Sequence, residues 1–142
     1  MKEFLLYIWQ LPQNLLGFLL LLFYRDDKLY HKHNGRRFYY TTEMPSGISL
    51  GNYIIMHKEE YDEGFWHEYG HSVDSRKFGP LYLFTIGVSS LCINIWDRLF
   101  HKKWKISDSL EWYYSRWPER RADKNGGVDR TAYIERIRKM GY

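Results

Sequence analysis

A single cysteine, Cys92, occurs in the 142 residues. It excludes an internal disulfide framework and any zinc site built as a thiolate cage, so a metal here must be held by histidine and carboxylate. An excess of one charge sign is also missing. The 21 Lys+Arg against 17 Asp+Glu leave a formal net charge of +4, which fits an anionic membrane surface or weak nucleic-acid contact and proves neither; a membrane surface is the expected partner and nucleic acid is not. Neither an internal repeat nor a low-complexity segment is present. With 44% hydrophobic residues the chain is far from a disordered composition and is one domain's worth of material. Aromatics are abundant instead, at 19% of the chain. Some of the Tyr and Trp rings must therefore find wet or interfacial surroundings, because each carries a polar handle.

Residues 4–24 read FLLYIWQLPQNLLGFLLLLFY, in which only Gln10, Gln13 and Asn14 are clearly polar. As one helix the 21 residues would rise roughly 31 Å, about the hydrocarbon thickness of a bilayer. Pro12 beside Gln13 and Asn14 suggests a break or kink there. The run is followed by RDDK rather than a small-residue cleavage site, which argues against a removed signal peptide. A basic cluster follows: Arg25, Lys28, Lys32, Arg36 and Arg37. Residues 1–25 are therefore expected to be a hydrophobic N-terminal helix, either a membrane anchor or an interfacial helix. The positive-inside rule puts the bulk of the chain on the cytoplasmic face.

Residues 31–37 read as a polar loop with an Asn-Gly turn signal, 37–43 and 48–57 as strands, and 58–64 as an acidic, exposed connection. From Phe65 the period becomes helical, with Phe65, Tyr69 and Val73 at i, i+4 and i+8, until Gly79-Pro80. A second apolar run spans 81–96, and residues 97–105 are basic and aromatic. A third helical stretch starts near 107–109 and should restart at Trp117-Pro118. Residues 129–140 form a short polar helix after Gly126-Gly127. The second apolar run would rise only about 24 Å and carries several hydroxyl and amide residues. It is expected to be a buried or interfacial helix packed across the preceding one, leaving the N-terminal segment as the anchor.

Chemistry is concentrated in His67-Glu68-Tyr69-Gly70-His71, an H-E-x-x-H pentad on the helical stretch. Positions i and i+4 share a helix face, so the two imidazoles can chelate one ion. Glu68 can then lie over a metal-bound water and take its proton. Gly70 allows another element to approach closely. Downstream, Glu119-Arg120-Arg121-Ala122-Asp123 puts two carboxylates on one face. Glu119 can reach the metal, and Asp123 can reach back to a ligand histidine and fix its tautomer. Asp74 shares the histidine face and competes for that outer role. His31 and His33 read as solvated, and His57 and His101 lack any partner signal.

These two motifs resemble those of the gluzincin zinc metallopeptidases, and within them the small membrane-associated peptidases of the HtpX type, whose third-ligand motif also reads E-x-x-A-D. A metzincin is excluded because Asp74 and Lys77 stand where Gly and His are required. The resemblance covers two motifs within residues 65–127. It implies zinc on His67, His71 and Glu119, Glu68 as general base, Asp123 behind a histidine, and a peptide or protein substrate. The implied fold is α+β and zincin-like over residues 26–142, with a small antiparallel sheet packed on the H-E-x-x-H helix. The chain departs from the pattern in having no histidine after His101 to hold an oxyanion; Tyr113, Tyr114, Arg116 and Tyr133 are open substitutes. The strand preceding the metal helix, residues 47–56, is either a core strand or one that pairs with substrate backbone. The rival reading is a non-catalytic, membrane-associated protein with a structural zinc.

Overall fold

The apolar N-terminal run folds as two helices, α1 (Lys2–Trp9) and α2 (Leu11–Phe23), bent by 82° at Gln10. This is a computed structural model, and it describes residues 1–24, 29–59 and 62–142. Arg25 and Lys28 of the basic cluster, and Glu60 and Tyr61 of the acidic connection, lie outside the described residues. Pro12 sits in the first turn of α2, where its missing N–H costs nothing. The polar residues that interrupt the run are the ones that dock it. Ser75 Oγ donates to Gln10 Oε1 at 2.8 Å, and Gln13 Nε2 donates to Ser75 Oγ at 3.1 Å and to the Gly79 carbonyl at 2.8 Å. The Asn52 backbone N–H donates to Asn14 Oδ1 at 2.7 Å.

Four strands follow: β1 (Leu29–His33), β2 (Arg36–Thr41), β3 (Ile48–Leu50) and β4 (Tyr53–His57), in the order β1-β2-β4-β3. The sheet is mixed, which corrects the expected antiparallel one. β1–β2 and β3–β4 are antiparallel, whereas β2 and β4 run parallel. Two departures from the sequence reading produce this. The supposed loop at 31–37 is mostly strand, closed by a tight Asn34-Gly35 turn with both φ positive (47° and 76°), as hairpin turns favour. The supposed single strand at 48–57 is a second hairpin folded at Gly51-Asn52, which returns β4 between β2 and β3.

Phe38, Ile54 and Met56 form the sheet's buried core, with Tyr40, Phe65 and Tyr69 packed against it. The Phe65 and Phe38 rings stack at 4.3 Å. Phe65 and Tyr69 lie on α3 (Asp62–Phe78), and this contact sets the helix's rotation. Two residues on, the helix has turned about 200°, so His67 and His71 face away from the sheet. α3 stops at Gly79, whose φ is +54°.

A short 3₁₀ turn (Gly79–Leu81) and a π-helical turn (Leu83–Gly87) lead into α4 (Val88–Phe100). Of the two expected positions, buried or interfacial, full burial is not seen: Tyr82 and Ile86 are buried, but Leu81, Phe84, Val88, Leu91, Ile95 and Trp96 are exposed. α4 has no buried residue, extends four residues beyond Trp96, and neighbours α5 and α6 rather than lying across α3. Residues Leu83–Phe100 are long and apolar enough to cross a membrane by length and composition. α5 (Ile106–Ser115), α6 (Trp117–Gly126) and α7 (Arg130–Lys139) complete an α+β fold of seven α-helices and one four-stranded sheet among the described residues. Pro118 sits in the first turn of α6, and Asp129 caps α7 by accepting from the Ala132 N–H at 3.2 Å.

Candidate metal centre

The site depends on how closely α3 and α6 cross. A Cβ at Gly70 would collide with the Ala122 carbonyl, and one at Gly126 would collide with the Trp66 carbonyl. With hydrogen alone at both positions the backbones meet, and the short side chain of Glu119 can reach the face of α3. Its Oε2 lies 3.1 Å from His67 Nε2 and 3.4 Å from His71 Nε2. One ligand atom from each of the three residues falls within 4.8 Å of the other two, and all three side chains are buried. Thus the structure brings together three of the residues selected from sequence. Asp123, one turn beyond Glu119, reaches His67 Nδ1 with its Oδ1 at 2.6 Å.

The surrounding charges would suit a cation. Burial alone would lower the His67 pKa, but hydrogen bonds to Asp123 and Glu119 and the charge of Glu68 raise it to about 9. Burial pushes the Glu119 carboxyl up, yet the two histidines hold it well below the usual carboxylate range. Asp123 is likewise lowered: burial opposes ionisation, while Arg130 and His67 favour it more strongly. Three buried groups poised this way attract a positive charge, which without a metal is a proton on His67. The fit to zinc can be tested on polar atoms left over. Glu119 Oε1 and His71 Nδ1 are buried and have no hydrogen-bond partner among the described residues. Two imidazole nitrogens and a carboxylate form a donor set that zinc accepts, and an ion bound there would also use the second carboxylate oxygen. The residues fit the metal.

One supporting residue, Arg130, carries no motif and escaped the sequence reading. Arg130 donates Nε to Asp123 Oδ2 at 2.9 Å and Nη2 to Oδ1 at 2.7 Å. Its guanidinium also lies 3.6 Å from the centre of the Tyr114 ring, which in turn meets His67 edge-on at 5.2 Å. The only sequence hint was a basic residue opening a helix soon after the E-x-x-A-D run. Asp74, the competitor for the outer role, is fully buried but pairs with Arg121 Nε at 2.8 and 2.9 Å. That ion pair ties α3 to α6 beside the site rather than orienting a ligand.

Glu68, adjacent to His67, is buried under the turn before β3. A Cβ at Gly47 would crowd its carboxylate, so glycine allows the loop to lie on it. Of the four open oxyanion candidates, Tyr114 forms a wall between His67 and Arg130, and Arg116 stacks over Trp112 at 4.5 Å. Tyr133 lies beneath Arg130 and Arg136. Tyr113 remains: burial raises its phenol far above the usual range, and the charges of Glu119 and Glu68 add to this. It stays protonated within the field of those carboxylates, and its hydroxyl is hydrogen-bonded with Asn94.

The other histidines stand apart from the cluster. His31 is exposed on β1, whereas His33 is half-buried against Phe65, Trp66 and Tyr69, not solvated as expected. His57 Nδ1 accepts from the Glu59 N–H at 3.1 Å. His101 does have a partner: its Nδ1 lies 2.7 Å from Asp97 Oδ1, and its ring stacks on Trp104. No family model, curated protein or solved structure matches this chain.

Proposed function

We propose that this protein is a zinc-dependent metallopeptidase of zincin-like design, working at a membrane on the cytoplasmic side. One observation carries the reading: His67, His71 and Glu119 converge within 4.8 Å while Asp123 backs His67 and the H-E-x-x-H carboxylate stands at the next position. This agrees with the gluzincin resemblance of the two motifs. A zinc ion held by the three residues would supply Lewis acidity to a water and to a substrate carbonyl. Glu68 accepts the water's proton and hands it to the departing amine, so that peptide and water become acid and amine. Asp123 keeps His67 Nδ1 protonated and its Nε2 directed inward. Tyr113 donates to the carbonyl oxygen as charge develops on it. β3 is the strand for substrate pairing, because it is the sheet edge beside α3 and β4 is paired on both sides.

A structural zinc is the second reading. It is favoured by closure: Glu68 is only 8% exposed and Glu119 1%, and structural sites are closed whereas catalytic ones keep an open position. Glu68→Gln separates the two. It preserves size and hydrogen bonding, so the variant should bind zinc fully and melt as the parent does. Against a mixed peptide library in detergent, its rate should fall about 10²–10⁴-fold. A variant as active as the parent refutes Glu68 as the base. A zinc-loaded parent that cleaves nothing, with or without membrane, leaves the structural reading.

A further inference from the structure

The polarity of α2 is inside out. Its buried residues are Gln13, Asn14 and Gly17, while Leu15, Phe18, Leu19 and Leu22 stand outward. A helix on a water-facing protein buries its apolar stripe and exposes its amides. α2 does the reverse, with its amides hydrogen-bonded to Ser75, Gly79 and Asn52. The segment from Leu83 through α4 repeats the pattern. Phe84, Val88, Leu91, Ile95 and Leu99 are all exposed, and their spacing of i, i+4, i+7, i+11 and i+15 lines one helix face. The two faces meet at the Gly79–Leu81 turn, which packs on α2, leads into α4 and exposes Leu81. An apolar surface of this extent marks an interaction site.

Charge says what covers it. At the C-terminal end of α4, Arg98, Lys102, Lys103 and Lys105 are exposed, together with Trp96, Phe100 and Trp104. Asp97, the one acid in that segment, is engaged by His101 and Ser109. An aromatic and basic rim beside an apolar face is the pattern of a protein lying where hydrocarbon meets anionic headgroups.

The same surroundings exclude a crossing. α2 has 13 residues and rises only about 20 Å, and the 82° bend prevents α1 from extending it. α5 folds back along α4, joined by Ser109 Oγ donating to Asp97 Oδ1 at 2.8 Å. Asp108 and Glu111 on α5 pair with Arg138 in the open, at 3.5 and 2.7 Å. These charges would sit in hydrocarbon if α4 passed through the bilayer. We propose that the outward faces of α2 and α4 form a seat in one leaflet of an anionic lipid bilayer, with the helices lying in its plane rather than through it. The proposal rests on the membrane association in the reading above and is independent of the zinc chemistry.

Cys92 is a built-in reporter, being exposed on α4 beside the apolar stripe. The full chain, purified in detergent, would be transferred onto preformed vesicles of phosphatidylcholine alone or mixed with phosphatidylglycerol. Flotation should be stronger with the anionic mixture and weaken with salt, and reaction of Cys92 with an impermeant maleimide should fall about tenfold on binding. In a Cys92→Ser, Lys103→Cys variant, the thiol at position 103 should label fully from outside. Leu91→Glu should weaken flotation about tenfold or more. A position 103 shielded until the vesicles are lysed would mean a crossing and overturn the seat. So would Cys92 labelling that vesicles leave unchanged, or a lipid-free dimer in which Cys92 is already shielded, since a second copy would then cover the face. Zinc occupancy on the same samples in detergent reports on the metal site alone, so failure of one reading is not mistaken for failure of the other.

Discussion

Replacing Asp123 with asparagine changes one atom where three elements meet. Oδ1 lies 2.6 Å from His67 Nδ1 and 2.7 Å from Arg130 Nη2, and Oδ2 takes Arg130 Nε at 2.9 Å. An asparagine can keep its oxygen toward His67, but its amide N–H₂ then faces the Arg130 guanidinium, donor against donor. Hydrogen bonds to a charged group contribute about 1.5–3 kcal/mol and neutral ones about 0.5–1.5, so the exchange costs about 1–2 kcal/mol for each bond weakened. His67 also loses the group that fixes its tautomer, a change that typically weakens metal affinity about 10–100-fold, or about 1.4–2.7 kcal/mol. Zinc affinity would be read by competition with a fluorescent chelator, and folding by urea unfolding of the metal-free chain. Arg130→Gln alone should weaken zinc through Asp123, and added to Asp123→Asn it should cost little more. Unchanged zinc affinity in Asp123→Asn, or fully additive losses in the double variant, would refute the chain of contacts from Arg130 through Asp123 to the metal.

Two further outcomes follow from the same geometry. Gly70→Ala forces α6 away from α3, because its methyl group meets the Ala122 carbonyl; overpacking of this kind costs about 1–3 kcal/mol, and zinc affinity should fall with stability as Glu119 is drawn off the histidines. Thermal unfolding and zinc titration unaltered by the methyl group would mean that the helices need not meet this closely. The metal-free chain should lose stability as pH rises. His67 has its pKa raised from 6.5 to about 9 in the folded state, so its proton stabilises fully below pH 6.5 and that contribution is lost as pH climbs through about 9. Melting temperatures should fall across that window without zinc and not with it; a flat metal-free profile would contradict the raised value.

The candidate cluster was more legible than the fold because its residues are local. His67, Glu68 and His71 are one helical turn, and Glu119 and Asp123 another, so spacing alone paired each set. Sequence could not show that the two turns meet, since this depends on Gly70 and Gly126 being opposite bare carbonyls. Arg130 was invisible for a related reason: its partners lie on a different helix, and no local pattern marks it. The sheet went wrong at Gly51-Asn52, where an apolar run of strand-forming residues hid a turn, and at His31 and His33, whose polarity looked like a loop. For the run after Pro80 the sequence leaves a buried and an interfacial position both open; Tyr82 and Ile86 are buried, whereas Phe84, Val88, Leu91 and Ile95 are exposed. The outer face of α2 is exposed in the same way; if the proposed membrane seat covers both, hydrophobicity there would no longer distinguish inside from outside.

The most direct test of the central claim is the X-ray absorption spectrum of the protein loaded with one equivalent of zinc, beside that of Glu119→Ala. The account predicts two imidazole nitrogens at about 2.0–2.1 Å and carboxylate oxygen at about 2.0–2.2 Å in the parent. It predicts loss of the carboxylate contribution, with weakened binding, in the variant. A thiolate ligand, which Cys92 alone could supply, or a spectrum that Glu119→Ala leaves unchanged, would contradict it.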